Sequence, residues 1–370
     1  MVVILALAGV SAAAGAQLRA GAAKVAITPR GSIWLAGRNH SSDGVAGEIY
    51  ARALALDDGA GGRAVLIATD LAGLPRSLSE RVAADIMKAQ GLERPQIVFN
   101  SSHTRNAPLV KGLQPGPEPT DAAELKKIDQ YSEALARYLG EVAAAALADL
   151  KPARIDFGAG RVAFAKGPQE AVPVLRVLTP KGGVIAVLFG YVVDNATLDE
   201  GSYAISGDYA GVAEAALEKE YPGAIALFYM LCGAGRNPEP IGTIELMKQH
   251  GAALADEVSR VMKSALTPVR GRLKSALIET AVPFVADAKE MRQLPFQVQV
   301  VRFDEGFKLV ALGGEGAPGY PGKIRKLLHD KEIVVAGCAD SGTAVAPGGG
   351  ETEERVLDAV KRAWKRAGKR

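Results

Sequence analysis

Cysteine is scarce in this chain: Cys232 and Cys338 are the only two among 370 residues. That excludes the disulfide framework on which small secreted domains depend, and leaves at most one bridge between the two. Histidine is nearly as rare, so a site built on imidazole has only His40, His103, His250 and His329 to draw on. A formal net charge of +3 is too small to argue for nucleic acid. The basic end KRAWKRAGKR reads as a solvated helix terminus. Aromatic residues make up 5% of the chain, few for an apolar lipid groove; Trp34 is the best single candidate for a rim residue, but ordinary core packing is the favoured reading. No apolar run in the mature chain is long enough to cross a bilayer.

What is present is ordinary for a globular protein with a large core: 48% apolar and 23% charged residues, in a chain long enough for one large domain or two. Val2 to Val10 is a short apolar stretch, followed by small residues ending Ala14-Gly15-Ala16. That pattern predicts a secretory signal over residues 1–16, a mature domain over 17–370, and a secreted or periplasmic location.

Strand and helix patterns alternate along the mature chain. Strands are expected at AKVAITP, EIYARALALDD and RAVLIATD, with a turn at Asp57-Asp58-Gly59. Ser77 and Glu80 read as a capping box for a helix whose apolar face is Leu78, Val82 and Ile86. A strand to Asn100 and a long Ala/Leu-rich helix from about Asp121 to Leu150 follow, with Asp121 and Glu124 as cap candidates. Further strands fall at RIDFGAG, RVAFA, VLRVLT, VIAVLFGYVV and AIALFYML, with a helix from Asp208 to about Glu220 and another near Thr243. Three strands over roughly 272–312, a short helix Pro321–His329, the strand EIVVAG and a helix from about Glu351 complete the chain. No internal repeat is visible. The alternation predicts one α/β domain, with a mixed β-sheet core flanked by helices.

The stretch QIVFNSSHTRNAPLV is the most informative. An apolar β-branched run stops in small polar residues and opens into a loop carrying His103 and Arg105. As the second half of a βαβ unit, that strand delivers His103 to the edge where α/β proteins place their chemistry, and right-handed crossover puts Asp70 there too. Asp194 and Glu315 also follow strands, and the Gly/Pro-rich loop CGAGRNPEP carries Arg236 and Asn237. One histidine and two carboxylates, His103, Asp194 and Glu315, are an acceptable donor set for zinc or a harder divalent ion. Strand-end polar residues also cap helices and satisfy loop backbone, so Asp70 and Asp194 have a structural reading as well. His40 reads as a surface residue, His250 as a satisfied helix histidine, and His329 as a helix-end residue favoured by the dipole.

In order and spacing, AGAAKVAITP, EIYARALALDD, HTRNAP, ISGDYAGVAEAAL, CGAGRNPEP, GTIELMKQHGAALADEV and LGGEGAPGYPGKIRK resemble the N-terminal domain of the neutral/alkaline (non-lysosomal) ceramidases, over nearly all of residues 21–360. The resemblance implies an α/β domain holding one zinc ion that assists attack on the amide of an N-acyl sphingoid lipid. In such enzymes the ligands are two histidines, a glutamate and a tyrosine. His103 falls on the first histidine and Glu315 on the glutamate. Arg105 stands where the family's loop has a second, substrate-facing histidine, and Asp194 where it has its other zinc histidine. Gly235 replaces an aspartate, Asn237 a serine, and the segment AGCADSGTAVAP lacks the tyrosine. The family's C-terminal immunoglobulin-like domain has no counterpart in this sequence. A second acidic ligand makes a metal less Lewis acidic, while Arg105 adds a positive charge able to stabilise an oxyanion. Two readings stay open. One is an exported hydrolase of ceramidase type with an altered metal site, acting on an amide or ester, with Arg105 and Asn237 catalytic and Asp70 supporting the ligands. The other is a non-catalytic member that binds an anionic small molecule or lipid through Arg105 and Arg236.

Overall fold

A computed structural model describes residues 17–369 apart from 114–118, 166–169, 234, 288–289, 339–344 and 347–348. The side chains of 284–292, 315, 345 and 346 also lie outside the described residues. The expected leader, residues 1–16, and most of AGCADSGTAVAP fall outside them too.

One order of elements occurs three times: three antiparallel strands, a helix, a parallel edge strand, a helix. In the first unit β1 (Arg19–Ala26), β2 (Tyr50–Asp57) and β3 (Arg63–Thr69) run antiparallel, then α1 (Arg76–Gln90) crosses over to β4 (Ile97–Ser101), parallel to β3, and α2 (Ala122–Ala148) follows. The second unit repeats this with β5 (Arg154–Val162), β6 (Glu170–Leu178), β7 (Val184–Tyr191), α3 (Asp208–Glu220), β8 (Ile225–Met230) and α4 (Ile244–Met262). The third has β9 (Arg270–Asp287), β10 (Glu290–Glu305), β11 (Lys308–Leu312), α5 (Tyr320–Leu327), β12 (Val334–Ala336) and α6 (Gly350–Lys369). The expected mixed α/β core is therefore built from three mixed sheets rather than one. An antiparallel bridge, Leu231 to Ala336, joins the edges of the second and third.

Alternation along the strands explains the layering. In β2, Ala51, Ala53 and Ala55 pack under α1 and α2, while Leu54 and Leu56 face the other sheets. In β7, Val187 and Phe189 meet α3 and α4, and Ala186 and Leu188 turn to the common centre. In β11, Val310 and Leu312 pack with α5 and α6, and Leu309 and Ala311 join that centre. Each sheet thus has a helical outer face and contributes its inner face to one shared apolar core.

Local signals hold with some corrections. Asp121 caps α2 by accepting from Ala123 N at 2.9 Å, and Thr243 caps α4 by accepting from Leu246 N at 3.2 Å. Gly91 ends α1 at φ 63°. The Ser77–Glu80 capping box does not form. Pro75 is the N-cap, and Glu80 is drawn away to accept a hydrogen bond from Gln297 Nε2 at 2.6 Å. RIDFGAG and RVAFA merge into the single strand β5, because β6 pairs with it along its whole length.

Candidate active site

The three parallel edge strands end together, and Asn100 at the end of β4 joins them. Its Nδ2 donates to Met230 O at 3.2 Å and Gly337 O at 2.6 Å, and its Oδ1 accepts from Met230 N at 2.8 Å. Ser101 N donates to Cys338 O, and Cys338 N to Gly314 O at 2.9 Å. The carboxyl ends of β4, β8, β11 and β12 are thereby one edge, as expected for ligand sites in α/β sheets. No sequence motif pointed to Asn100. The signal was there, however, in an amide inside an otherwise apolar buried strand.

His103 leaves this edge in a left-handed conformation, φ 63°. That is uncommon for a residue with a side chain and concentrates at functional positions. Its amide donates to Leu71 O at 2.9 Å, and Ser102 N to Thr69 O at 2.9 Å, so the loop is pinned beside the end of β3. Asn106 fastens the far side of the loop to the second unit, donating from Nδ2 to Ser202 O and Ala204 O.

Asp194, past the end of β7, comes to His103 across this gap. His103 Nδ1 and Asp194 Oδ1 are 4.0 Å apart, with side chains 18% and 10% exposed. The CGAGRNPEP loop holds Asp194 from the other side. Gly235 N donates to both carboxylate oxygens at 3.3 Å, and Asp194 N donates to Arg236 O at 2.8 Å. Next to it, Asn195 donates to Gly207 O at 2.9 Å and accepts from Ala210 N, fixing this loop on the start of α3. Asp208 ties the same loop further along, accepting from Thr197 N at 2.9 Å and Tyr209 N at 2.6 Å. Burial raises its carboxyl above the ordinary carboxylate range, against those hydrogen bonds.

Glu315 stands at the start of a short parallel pairing with Val345, directly after Gly314, whose carbonyl accepts from Cys338 N. Its backbone therefore belongs to the same edge, while its side chain lies outside the described residues. Among the described residues no three His, Cys, Asp or Glu side chains gather as a metal-holding group. The pair that does gather, an imidazole and a carboxylate on separate loops, has the donor chemistry of zinc or a harder divalent ion.

The other expected site residues sort differently. Asp70 reaches the edge through its backbone, but its buried side chain turns into the protein, accepting from Tyr50 N and Arg52 Nη1, both at 2.8 Å. Arg52, itself buried, also meets Glu214 at 2.9 Å, so Asp70 helps to hold α3 against the first sheet. Arg105 is exposed and lies over Gly37, and no ion pair joins it to Asp194 among the described residues. Arg236 is ion-paired with Glu170, and Asn237 is exposed. Cys232 and Cys338 are buried thiols with no disulfide between them. Burial pushes Cys232 up to about 12, which keeps it protonated at neutral pH. His40 is exposed and stacks on Tyr203. His250 is buried, 2.8 Å from Pro240 O and stacked on Phe164. Trp34 is half-buried against the core of the first unit rather than standing on a rim.

No protein-family model and no curated protein matches the sequence. Solved structures do share its fold. The neutral ceramidase from Pseudomonas aeruginosa superposes over 89% of this chain and 68% of its own, with a TM-score of 0.73 and 16% identity. A ceramidase complexed with C2 superposes over 90% of this chain and 69% of its own, with a TM-score of 0.74 and 16% identity. At that identity the likeness establishes one thing: the chain has a ceramidase-like fold.

Proposed function

We propose that this chain is an exported, metal-dependent hydrolase of ceramidase type that cleaves the amide bond of an N-acyl small molecule or lipid, with His103, Asp194 and Glu315 as the metal ligands. The observation that carries this reading is the 4.0 Å approach of His103 to Asp194 from two loops that belong to different units of the fold. The left-handed backbone at His103 and the enclosure of Asp194 by Gly235 and Arg236 support it, as does the ceramidase-like fold. Among the described residues no helix is long and apolar enough to cross a membrane.

Zinc is the ion that this donor set suits, and when bound it would supply Lewis acidity at the scissile carbonyl. The chain's own groups account for the rest. Gly235 N–H holds the Asp194 carboxylate in one orientation, which fixes a ligand before an ion arrives. Arg105, two residues past His103 and exposed, supplies a fixed positive charge for an oxyanion. Asn237, exposed on the loop whose Gly235 and Arg236 hold Asp194, would offer an amide to the same oxyanion, and Asp70 supports His103 by keeping the end of β3 in place through Arg52. No observation favours the purely ligand-binding reading, since Glu170 already neutralises Arg236.

Metal content decides the matter. Purified protein should carry about one zinc per chain, and His103→Ala, Asp194→Ala and Glu315→Ala should each lose it together with release of amine from an N-acyl amide. Wild-type protein that takes up no divalent ion on reconstitution and hydrolyses unchanged in a chelator would overturn the proposal.

A further inference from the structure

A groove separate from the gap between His103 and Asp194 lies on the helical side of the first unit. One wall is the chain leaving β1, from Ile27 to Ile33, and the other is α2, which presents Lys127, Tyr131, Ala134 and Tyr138. Spacings of four, three and four put those residues in one stripe on the helix, and their rise makes the stripe about 16 Å long. The groove holds about 460 Å³, within the range of small-molecule sites. Its inner lining is apolar: Ile27, Ile33 and Tyr131 are 1%, 3% and 7% exposed. The Tyr131 hydroxyl is itself buried, so what this tyrosine shows the groove is ring carbon. The charged groups on the lining carry one sign. Arg30 is exposed and makes no hydrogen bond or ion pair among the described residues, and Lys127 is paired with Glu124 at 2.5 Å. Among the described residues no acidic side chain lines the groove. Gly31, beside Arg30, has nothing within 4 Å of where a Cβ would stand, which leaves the wall open there.

A long apolar trough with an exposed, unpaired guanidinium on its lining is complementary to a straight chain that ends in a carboxylate. The length favours a chain over a compact ligand, and arginine's planar fork pairs with both carboxylate oxygens. We propose that this groove binds one straight-chain fatty carboxylate, its chain along the stripe of α2 and its carboxylate on Arg30. Such an acid is the acyl half of the N-acyl lipid in the hydrolase reading, and for the source of its ligand the proposal rests on that reading. No residue of the groove is a metal ligand there. The chain beyond Ile33 nevertheless pairs with the loop that carries His103, by Ala36 N to Ala107 O and Leu109 N to Trp34 O, both at 2.8 Å. One wall of the groove and the loop of the site thus belong to one ladder.

The test is calorimetric titration of the full chain carrying His103→Ala, so that no amide is cleaved during the measurement, with decanoate, octanoate and N-octanoylethanolamine. At low ionic strength decanoate should bind one per chain with a Kd below about 1 mM, about fivefold tighter than octanoate because it buries more of a chain. Octanoate should bind about fivefold tighter than the uncharged amide, which separates a free acid from the acyl chain of an intact lipid, and raised salt should shrink that preference. Adding Arg30→Gln, an exposed change, should remove the preference for the acid and keep the dependence on chain length. Adding Ala134→Trp, which fills the groove from a half-buried position, should remove saturable binding of all three, with circular dichroism as the check on folding. If Ala134→Trp does not fold, Arg30→Gln decides alone. No saturable decanoate binding, an amide bound as tightly as octanoate, a preference that survives Arg30→Gln, or binding that survives in folded Ala134→Trp would each overturn the fatty-acid groove. The two proposals fail separately. Decanoate binding in a wild-type protein that releases no amine keeps the groove and removes the hydrolase, whereas hydrolysis by a protein that binds no decanoate does the reverse.

Discussion

Replacing Asn100 with alanine should destabilise the protein by about 3–5 kcal/mol, more than a typical single substitution. The amide is fully buried and makes three hydrogen bonds, to Met230 O at 3.2 Å, to Gly337 O at 2.6 Å and from Met230 N at 2.8 Å. A buried hydrogen bond contributes about 1 kcal/mol net, and a partner left buried and unsatisfied costs about 1–3 kcal/mol more. The sum depends on how many of the Met230 and Gly337 groups a water molecule reaches, and the centre of three converging sheets leaves little room for one. Urea unfolding followed by fluorescence suits the measurement, because Trp34 packs in the first unit and Trp364 in the third. Circular dichroism on the same samples checks that both probes report one transition. A midpoint shift worth under about 1 kcal/mol at unchanged slope would refute the idea that Asn100 couples the three units.

Gly251→Ala should lower stability by about 1–3 kcal/mol, since a Cβ there would lie 2.5 Å from Val212 Cβ and 2.7 Å from Tyr209 O where α4 crosses α3. An unchanged urea midpoint would show that the helices separate freely. Burial, joined by Asp70 and opposed by Arg52, holds the Glu214 carboxyl well above its usual range. Its contribution to stability is therefore fully present below the unfolded-chain value of about 4.3 and is lost as pH rises through the higher folded value. Glu214→Gln should flatten that decline in melting temperature, and an unaltered pH profile would assign it to other groups. Cys232 should resist alkylation at neutral pH in the folded protein, because burial keeps its thiol protonated; rapid labelling without unfolding would contradict this.

Most elements were legible because their apolar periods are clean. Leu78, Val82 and Ile86 do form the buried face of α1, and Asp208–Glu220 is a helix with the expected limits. The Ser77–Glu80 cap was not legible, because a tertiary partner, Gln297 on β10, outcompetes the local bond. The threefold order of elements was hidden for a different reason. What recurs is strand direction and helix placement, which many residue combinations satisfy, so no residue needs to recur. At the site, the rule that polar residues after buried strands face the working edge placed His103 beside Asp194. The same rule over-reached at Asp70, whose direction is set by Arg52. An arginine within the buried run YARALALD had to find an acidic partner, and sequence cannot say which.

The repeated architecture gives that difference a structural sense. In each unit an acidic residue follows the third strand: Asp70 after β3, Asp194 after β7, Glu315 after β11. The first was spent on cohesion, pairing with Arg52 to bind α3 to the first sheet, and it carries its charge away from the edge. The second stays at the edge, where the Gly235 amide donates to both of its carboxylate oxygens and His103 Nδ1 lies 4.0 Å away. The backbone agrees with this division. His103 and Cys338, both at the shared edge, keep side chains at φ 63° and 49°, angles that glycine would adopt without strain. Each such position costs about 1–2 kcal/mol. At His103, whose side chain meets Asp194, that cost falls on a residue the proposed site depends on.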